Sequence, residues 1–282
     1  MKIILSFMKK YTLLFAIFFW GASFIFVKIG LEEVPPINLA LFRSATALPI
    51  LFIISGFRRI KKEFLLLGLM GITGYHLFQN LGMMSTGAAE ASIIIASNPI
   101  FIAIFSRLIL KERITIIEAL GIALAFLGVF IIILREGMGK GSFIGNLLCL
   151  GSVFSWVGYS IYGKIKLRNS NANEITAYST LFGTIFLLPI AIVLEGIVIP
   201  KSTMAWISII ALGIFCSGLA YLFWYKALED MDVSKAGFYL FLIPVISSIL
   251  AFFILGERLD FKFIIGAFLV IIGLILSSRR NF

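Results

Sequence analysis

The stretch from Ala91 to Gly128 returns from Ala236 to Gly273 in constant register and without a gap. Pro99 falls on Pro244, Leu110 on Leu255, Glu112-Arg113 on Glu257-Arg258, Gly121 on Gly266 and Gly128 on Gly273. Few identities survive, but those that do carry backbone or charge meaning. Both copies lie in strongly apolar sequence. A duplicated chain embedded in a membrane is first of all a candidate transporter.

Composition narrows the class. Hydrophobic residues make up 61% of the 282 positions and charged residues only 13%. A soluble domain carries about 25% charged residues, so this chain could not cover a water-facing surface. The formal charge of +10 does not point to nucleic acid. The basic residues sit in short clusters between apolar runs, as membrane topology requires, and form no basic face interleaved with stacking aromatics. Cys149 and Cys216 lie inside apolar runs, where cysteine behaves as a small hydrophobe. No spacing fits a metal or a disulfide framework, and no cofactor is expected. The apolar run after the basic N-terminus is too long for a signal peptide and lacks a cleavage site, so it reads as a retained first helix.

Crossing a bilayer as a helix takes about 20 apolar residues. Ten segments qualify: 11–31, 37–56, 63–83, 88–109, 114–134, 142–163, 174–194, 203–224, 233–255 and 261–277. The expected fold is therefore all-α and integral to the membrane, with five spans in residues 1–138 and five in 139–282. Placing the N-terminus in the cytoplasm collects most Lys/Arg there: Lys2, Lys9, Lys10, Arg58, Arg59, Lys61, Lys62, Arg107, Lys111, Arg113, Lys164, Lys166, Arg168, Lys226, Lys235, Arg279 and Arg280. Lys28, Arg135, Lys140, Lys201, Arg258 and Lys262 fall outside. Both termini are then cytoplasmic. An odd number of spans per half inverts the second half, an arrangement suited to alternating access around a midplane site.

Several motifs resemble the EamA domain of the drug/metabolite transporter superfamily. Trp20-Gly21-Ala22-Ser23-Phe24 followed by Lys28, Pro35-Pro36, and Leu41-Phe42-Arg43-Ser44 are similar to its opening. Pro99, Lys111-Glu112-Arg113, Gly121 and Gly128 are similar to its end. In the second half, Trp156 and Lys164 repeat the Trp20–Lys28 spacing, and Pro244, Gly256-Glu257-Arg258, Gly266 and Gly273 follow. Val157 departs from the glycine that follows Trp20. The resemblance spans nearly the whole chain. It implies a ten-helix exporter or permease of the plasma membrane, whose first, third, fourth, sixth, eighth and ninth helices enclose a cavity while the fifth and tenth pack outside.

Polar side chains inside a bilayer are costly and are functional candidates by default. Trp20 and Ser23, His76 with Gln79 and Asn80, Ser97 and Asn98, Trp156 and Tyr159, Tyr221, and Tyr239 fall on the six helices that the resemblance assigns to the cavity. Together they suit an amphipathic, uncharged or zwitterionic organic substrate. The competing reading makes such residues interfacial belts or helix glue. Trp224 and Tyr225, at a helix end, are expected in the belt. Asn98 is balanced between cavity and glue. His76, the sole histidine, could carry a proton. With no carboxylate at mid-depth, transport without proton coupling is favoured over a proton-driven permease. Arg43 is expected to snorkel outward or to pair with an acid such as Glu32, Glu33 or Glu90, as a structural or gating ion pair. Pro99 and Pro244 interrupt their helices and are candidate hinges. The paired glycines are expected to pack helices, and the Glu-Arg pairs to fix helix ends.

An intramembrane enzyme would need a Ser–His pair or clustered metal ligands, and one isolated histidine argues against both. A channel would need rings of charge. A sensor that has lost transport stays open. The expected partners are a small-molecule substrate and the lipid bilayer, with no nucleic acid, and a monomer is expected.

Overall fold

In the computed structural model, residues 2–56, 60–86, 88–133, 142–256 and 261–278 are described; for residues 2–10, 88–90, 255 and 278 only the backbone is. Glu257-Arg258, Arg58, Arg59, Arg135, Lys140, Arg279 and Arg280 lie outside the described residues. Every regular element among those described is helical, because a backbone in hydrocarbon must satisfy its own hydrogen bonds.

The chain opens with α1 (Lys2–Gly30) and α2 (Pro36–Ser55). Next come α3 (Glu63–Gly68) and α4 (Tyr75–Ser85), joined by a π-helical stretch, Leu69–Gly74. α5 (Ala88–Ala96) and α6 (Asn98–Phe105) follow, then α7 (Ile116–Ile133). The rest of the chain has the same grammar. α8 (Phe143–Lys166) and α9 (Ala172–Leu194) are uninterrupted. α10 (Thr203–Ala211) and α11 (Ala220–Leu228) flank a π-helical stretch, Leu212–Leu219. α12 (Val233–Phe238) and α13 (Leu242–Leu255) flank a 3-10 turn, and α14 (Phe261–Ser278) closes the chain.

Among the described residues, eight helical runs are long and apolar enough to cross a membrane: Tyr11–Gly30, Pro36–Ser55, Ala91–Leu110, Ile116–Ile133, Phe143–Lys166, Ala172–Leu194, Thr203–Leu228 and Val233–Ile254. Phe261–Ser277 is apolar but shorter. The α3–α4 run is absent from this set; His76, Gln79 and Asn80 dilute its apolar character.

Proline explains where two runs break. Its ring clashes with the preceding turn and it donates no N–H. The chain leaves α-helical geometry at Ser97, and Pro99 sits in the first turn of α6. Likewise a 3-10 turn, Tyr239–Phe241, precedes α13, with Pro244 in its first turn. Each proline therefore starts a new helix. Pro49 and Pro189 lie inside α2 and α9, a pair that also packs together.

α7 and α14 pair antiparallel on glycine faces. A Cβ on Gly121 would lie 2.6 Å from the Gly273 carbonyl oxygen, and one on Gly128 would lie 2.5 Å from that of Gly266. Only glycine allows backbones this close. This pair packs mainly with itself; α1 instead packs on α10, α11 and α13, and α8 on α4, α5 and α6.

Acidic residues hold the helix N-termini, where exposed N–H groups and the helix dipole favour negative charge. Glu195, at the end of α9, accepts from Ile37 N (3.0 Å), Asn38 N (2.8 Å) and Asn38 Nδ2 (2.9 Å) at the start of α2. Glu112 accepts from Val233 N (2.8 Å), Ser234 N (3.0 Å) and Ser234 Oγ (2.6 Å), which caps α12. Glu118 closes a capping box with Thr115 at the start of α7. Glu33, between α1 and α2, accepts from Lys201 N (2.8 Å) and Ser202 N (3.1 Å) ahead of α10.

Those bonds from Ser202 and Lys201 favour the ionised Glu33 carboxylate and hold its pKa below the ordinary range. A lowered folded-state pKa contributes stability above the unfolded pKa and loses it as pH falls through the folded one. Thermal midpoints of Glu33→Gln should therefore lie below wild type at neutral pH and converge with it below the ordinary glutamate range. Because Glu33 is only partly buried, the shift should be modest. A gap that persists at low pH would assign the effect to side-chain shape instead of charge.

Candidate functional site

The first turns of α2 and the loop holding Glu33 mark one face of the bundle. Glu112, Lys164 and the α11–α12 turn mark the other. Between them, α1, α4, α8 and α11 each turn aromatic rings inward. On α11, Tyr221, Trp224 and Tyr225 share one face by helical periodicity, as Trp156 and Tyr159 do on α8.

These rings form one cluster. Trp156 is its hub, with centroids 5.2 Å from Trp20, 5.4 Å from Tyr75, 5.7 Å from Tyr159, 5.5 Å from Tyr221 and 5.6 Å from Trp224. The Trp20 and Tyr221 contacts are edge-to-face, the geometry ring quadrupoles prefer. Tyr159 meets Tyr225 at 5.0 Å. Tyr225 Oη donates to the Tyr159 carbonyl at 2.8 Å, and the Tyr159 and Ser179 hydroxyls share a bond of 3.2 Å. Tyr159 packs on Gly71, where a Cβ would come within 2.2 Å of the ring.

Of the three π-helical stretches among the described residues, Leu69–Gly74 and Leu212–Leu219 border this cluster, while Ser106–Leu110 lies at the end of the run that begins with α5. Widened turns free carbonyls, and such stretches recur at functional sites. Trp20 Nε1 donates to the Cys216 carbonyl at 3.1 Å. Tyr221 Oη reaches the Gly71 carbonyl across a long 3.5 Å.

The sequence candidates divide into two groups. Trp20, Trp156, Tyr159 and Tyr221 meet in the cluster, and Tyr239 is buried in the same core. His76 lies at its edge, its ring 5.2 Å from Tyr75. Gln79 lies one turn along α4 from Tyr75. The others have local partners. Ser23 bonds the Trp20 carbonyl, Ser97 the Ile94 carbonyl, and Asn80 Nδ2 donates to Pro36 O at 2.9 Å. Asn98 is buried at the α5–α6 break.

Two expectations need correction. Trp224 and Tyr225 are not belt residues: each is 0% exposed and packed in the cluster. Their i, i+3, i+4 relation to Tyr221 is the signal for this. Arg43 makes no ion pair among the described residues. Its Nε donates to Ser217 Oγ at 2.7 Å. Glu33 is engaged by Lys201 and Ser202, and the side chain of Glu90 lies outside those described. Tyr75 and Ser217 were also not singled out from the sequence.

Among the described residues, two buried polar atoms at the cluster have no hydrogen-bond partner, Trp224 Nε1 within it and His76 Nε2 beside it; Asn98 Oδ1, Ser160 Oγ, Thr180 Oγ1 and Glu118 Oε1 are unpartnered as well. Towards the Glu112 face the cluster is closed. Tyr225 and Leu228 are fully buried, and Lys164 Nζ donates to the Leu228 carbonyl and to Met231 O (2.9 Å). An open recess of about 390 Å³ beyond them is lined by Glu112, Lys164, Arg168, Glu229 and Asp232 among others. Towards the Glu33 face, Trp20, Ser23, Tyr75 and Gln79 keep partial exposure.

A bundle of long apolar helices whose buried polar groups converge on a central aromatic cluster defines a multi-pass membrane protein. The chain belongs to the EamA-like transporter family, which matches twice, over residues 10–134 and 143–279. It is thus a membrane transporter with a small-molecule substrate. An uncharacterized transporter of Archaeoglobus fulgidus is 34% identical over 97% of this chain and 100% of its own length. A probable terminal-alkyne amino-acid exporter of Streptantibioticus cattleyicolor is 27% identical over 96% of this chain and 93% of its own. A solved crystal structure with 20% identity superposes at a TM-score of 0.86, covering 96% of this chain and 99% of the other, which shows a shared fold.

Proposed function

We propose that the protein is a secondary transporter that exports amino acids or related amphipathic metabolites across the plasma membrane by alternating access. The observation that carries this is the aromatic cluster with the Trp224 indole N–H and His76 Nε2 buried and unpartnered among the described residues. An unpaired polar group in hydrocarbon costs free energy, so each calls for a ligand or for another conformation that satisfies it. Aromatic walls with a few amide, imidazole and indole groups suit a molecule with an apolar body and a polar end. The exporter from Streptantibioticus is consistent with an amino-acid substrate.

The architecture that goes with this function is two inverted repeats, 1–138 and 139–282, with ten crossings and both termini cytoplasmic. The α3–α4 run and α14 supply the two crossings beyond the eight that are plainly long and apolar. Reciprocal glycine pairing supports the inversion: Gly121 meets Gly273 while Gly128 meets Gly266, as expected of equivalent helices related by an axis in the membrane plane. A π-helical stretch in the third run of each half, and a proline-started helix in the fourth, support it too. With the N-terminus inside, the closed Glu112 face is cytoplasmic and this conformation faces outward. Pro99, Pro244 and Arg43 are then the gating candidates, since each lies where a helix restarts or crosses to the other half.

Flux in proteoliposomes tests the reading. Saturable, electrochemically downhill movement of aliphatic or aromatic amino acids is expected, with similar rates with and without a pH gradient. Collapse of flux when the gradient is dissipated would favour proton coupling through His76. Absence of any solute flux would defeat the transporter assignment.

A further inference from the structure

Arg43 is the one buried cation of α2, 8% exposed and roughly two turns inside the helix. A guanidinium offers five N–H donors and is never neutral in a protein. Among the described residues it makes a single side-chain hydrogen bond, from Nε to Ser217 Oγ in the π-helical stretch Leu212–Leu219. That bond spans the two halves of the chain. It fixes the root of the fork while committing neither terminal nitrogen.

No described carboxylate pairs with it, and Glu32 is exposed between α1 and α2. Glu195 caps α2 itself, Glu33 holds the backbone ahead of α10, and Glu112 lies at the opposite face. Its partner Ser217 follows Cys216, whose carbonyl accepts from Trp20 Nε1, so the guanidinium lies next to the aromatic cluster. The Asn80–Pro36 bond sets α4 against α2, with His76 one turn further in. Beside it, His76 is 5% exposed and has no partner at Nε2. An imidazole in the Nε2–H tautomer presents one more donor to an anion.

A membrane-buried cation requires a counter-charge. Here the group is oriented by Ser217, lies next to the ring cluster and has no carboxylate partner among the described residues. We infer that Arg43, oriented by Ser217 and flanked by His76, receives the carboxylate of the transported molecule, so that the protein selects organic acids and amino acids over the matching amines and amides. The planar fork matches a carboxylate in two-point fashion. Trp20, Trp156, Tyr221 and Trp224 then receive the rest of the molecule, an apolar side chain or an ammonium over a ring face. Arg43 is thus a specificity determinant. This rests on the transport function proposed above and adds the substrate's charge to it.

The test uses four probes that share a phenyl ring: 3-phenylpropionate, L-phenylalanine, L-phenylalaninamide and phenethylamine. Sodium chloride is held constant so that a bare anion is present in every arm. Binding to the purified full chain is read by intrinsic tryptophan fluorescence and by thermal shift, and transport by proteoliposome flux. Wild type should bind the two carboxylates more tightly than the amide and amine by roughly 10- to 100-fold, the scale of a lost charge-assisted hydrogen bond. Arg43→Gln should erase that preference. Arg43→Lys should keep part of it, with charge but no fork. Ser217→Ala should weaken carboxylate binding less than Arg43→Gln. Should Arg43→Gln not purify, the lysine and Ser217 variants decide, because the acid preference must fall in both. Equal binding of all four probes by wild type, or carboxylate binding undiminished in Arg43→Gln, overturns the inference. Carboxylate flux untouched by Arg43→Gln also overturns it while leaving transport standing. If no probe binds and no solute moves, both fall.

Discussion

Gly128→Leu is expected to abolish folded, monodisperse protein, and Gly266→Leu to do the same. At Gly128 a Cβ would lie 2.5 Å from the Gly266 carbonyl oxygen and 2.9 Å from Val270 N; at Gly266 it would lie 2.6 Å from the Gly128 carbonyl oxygen. The obstructing atoms are backbone and cannot rotate away. Relief requires α7 and α14 to separate along their length, which forfeits close packing at the Gly121–Gly273 contact as well. Overpacking a soluble core typically costs about 1–3 kcal/mol. In a bilayer helix association relies on close van der Waals contact, so this rigid clash should reach or exceed the upper end. The alanine variants should fold with a lowered thermal midpoint. Leu127→Phe, on the outward side of α7 where Leu127 is 48% exposed, is the matched control and should behave as wild type. Size-exclusion profiles and melting curves in detergent decide the matter. A Gly128→Leu protein with a wild-type profile and midpoint would refute the α7–α14 contact.

The same glycines illustrate what was legible in the sequence. A repeat in constant register keeps the residues that two equivalent helices need where they touch, so Gly121, Gly128, Gly266 and Gly273 could be read as packing before any coordinates. Trp20 and Trp156 were legible for a related reason: both lie far from either end of a long apolar run, where an interfacial belt is out of reach. Trp224 and Tyr225 were not, because distance from a helix end does not tell whether a ring faces lipid or a neighbouring helix. That depends on α11 packing against α1, which no local pattern encodes. The partners of Arg43, Glu195 and Glu33 were hidden for the same cause. Ser217 and the N-termini of α2 and α10 are remote in sequence, and the expected Arg43 ion pair assumed that the nearest acid in depth is the nearest in space. The π-helical stretches left no trace either, since one widened turn barely disturbs the apolar pattern.

Trp156→Ala should abolish transport and lower stability together, and Trp224→Phe should separate the two. Trp156 joins rings from α1, α4, α8 and α11, so its loss leaves a void bordered by five aromatic side chains. Large-to-small substitutions at buried aromatics cost about 3–5 kcal/mol where the surroundings cannot collapse, and interlocked indoles collapse poorly. Trp224→Phe keeps a ring and deletes the indole N–H. In this conformation that N–H is buried without an acceptor, a condition that costs about 1–3 kcal/mol. The phenylalanine variant should therefore melt at or slightly above the wild-type temperature despite its smaller ring. If the N–H is retained because substrate or the inward-facing state supplies an acceptor, the same variant should lose flux several-fold. Midpoints measured beside initial rates distinguish the two roles. Full flux in Trp224→Phe would make its N–H a bystander, and full flux in Trp156→Ala would remove the aromatic cluster from the transport path altogether.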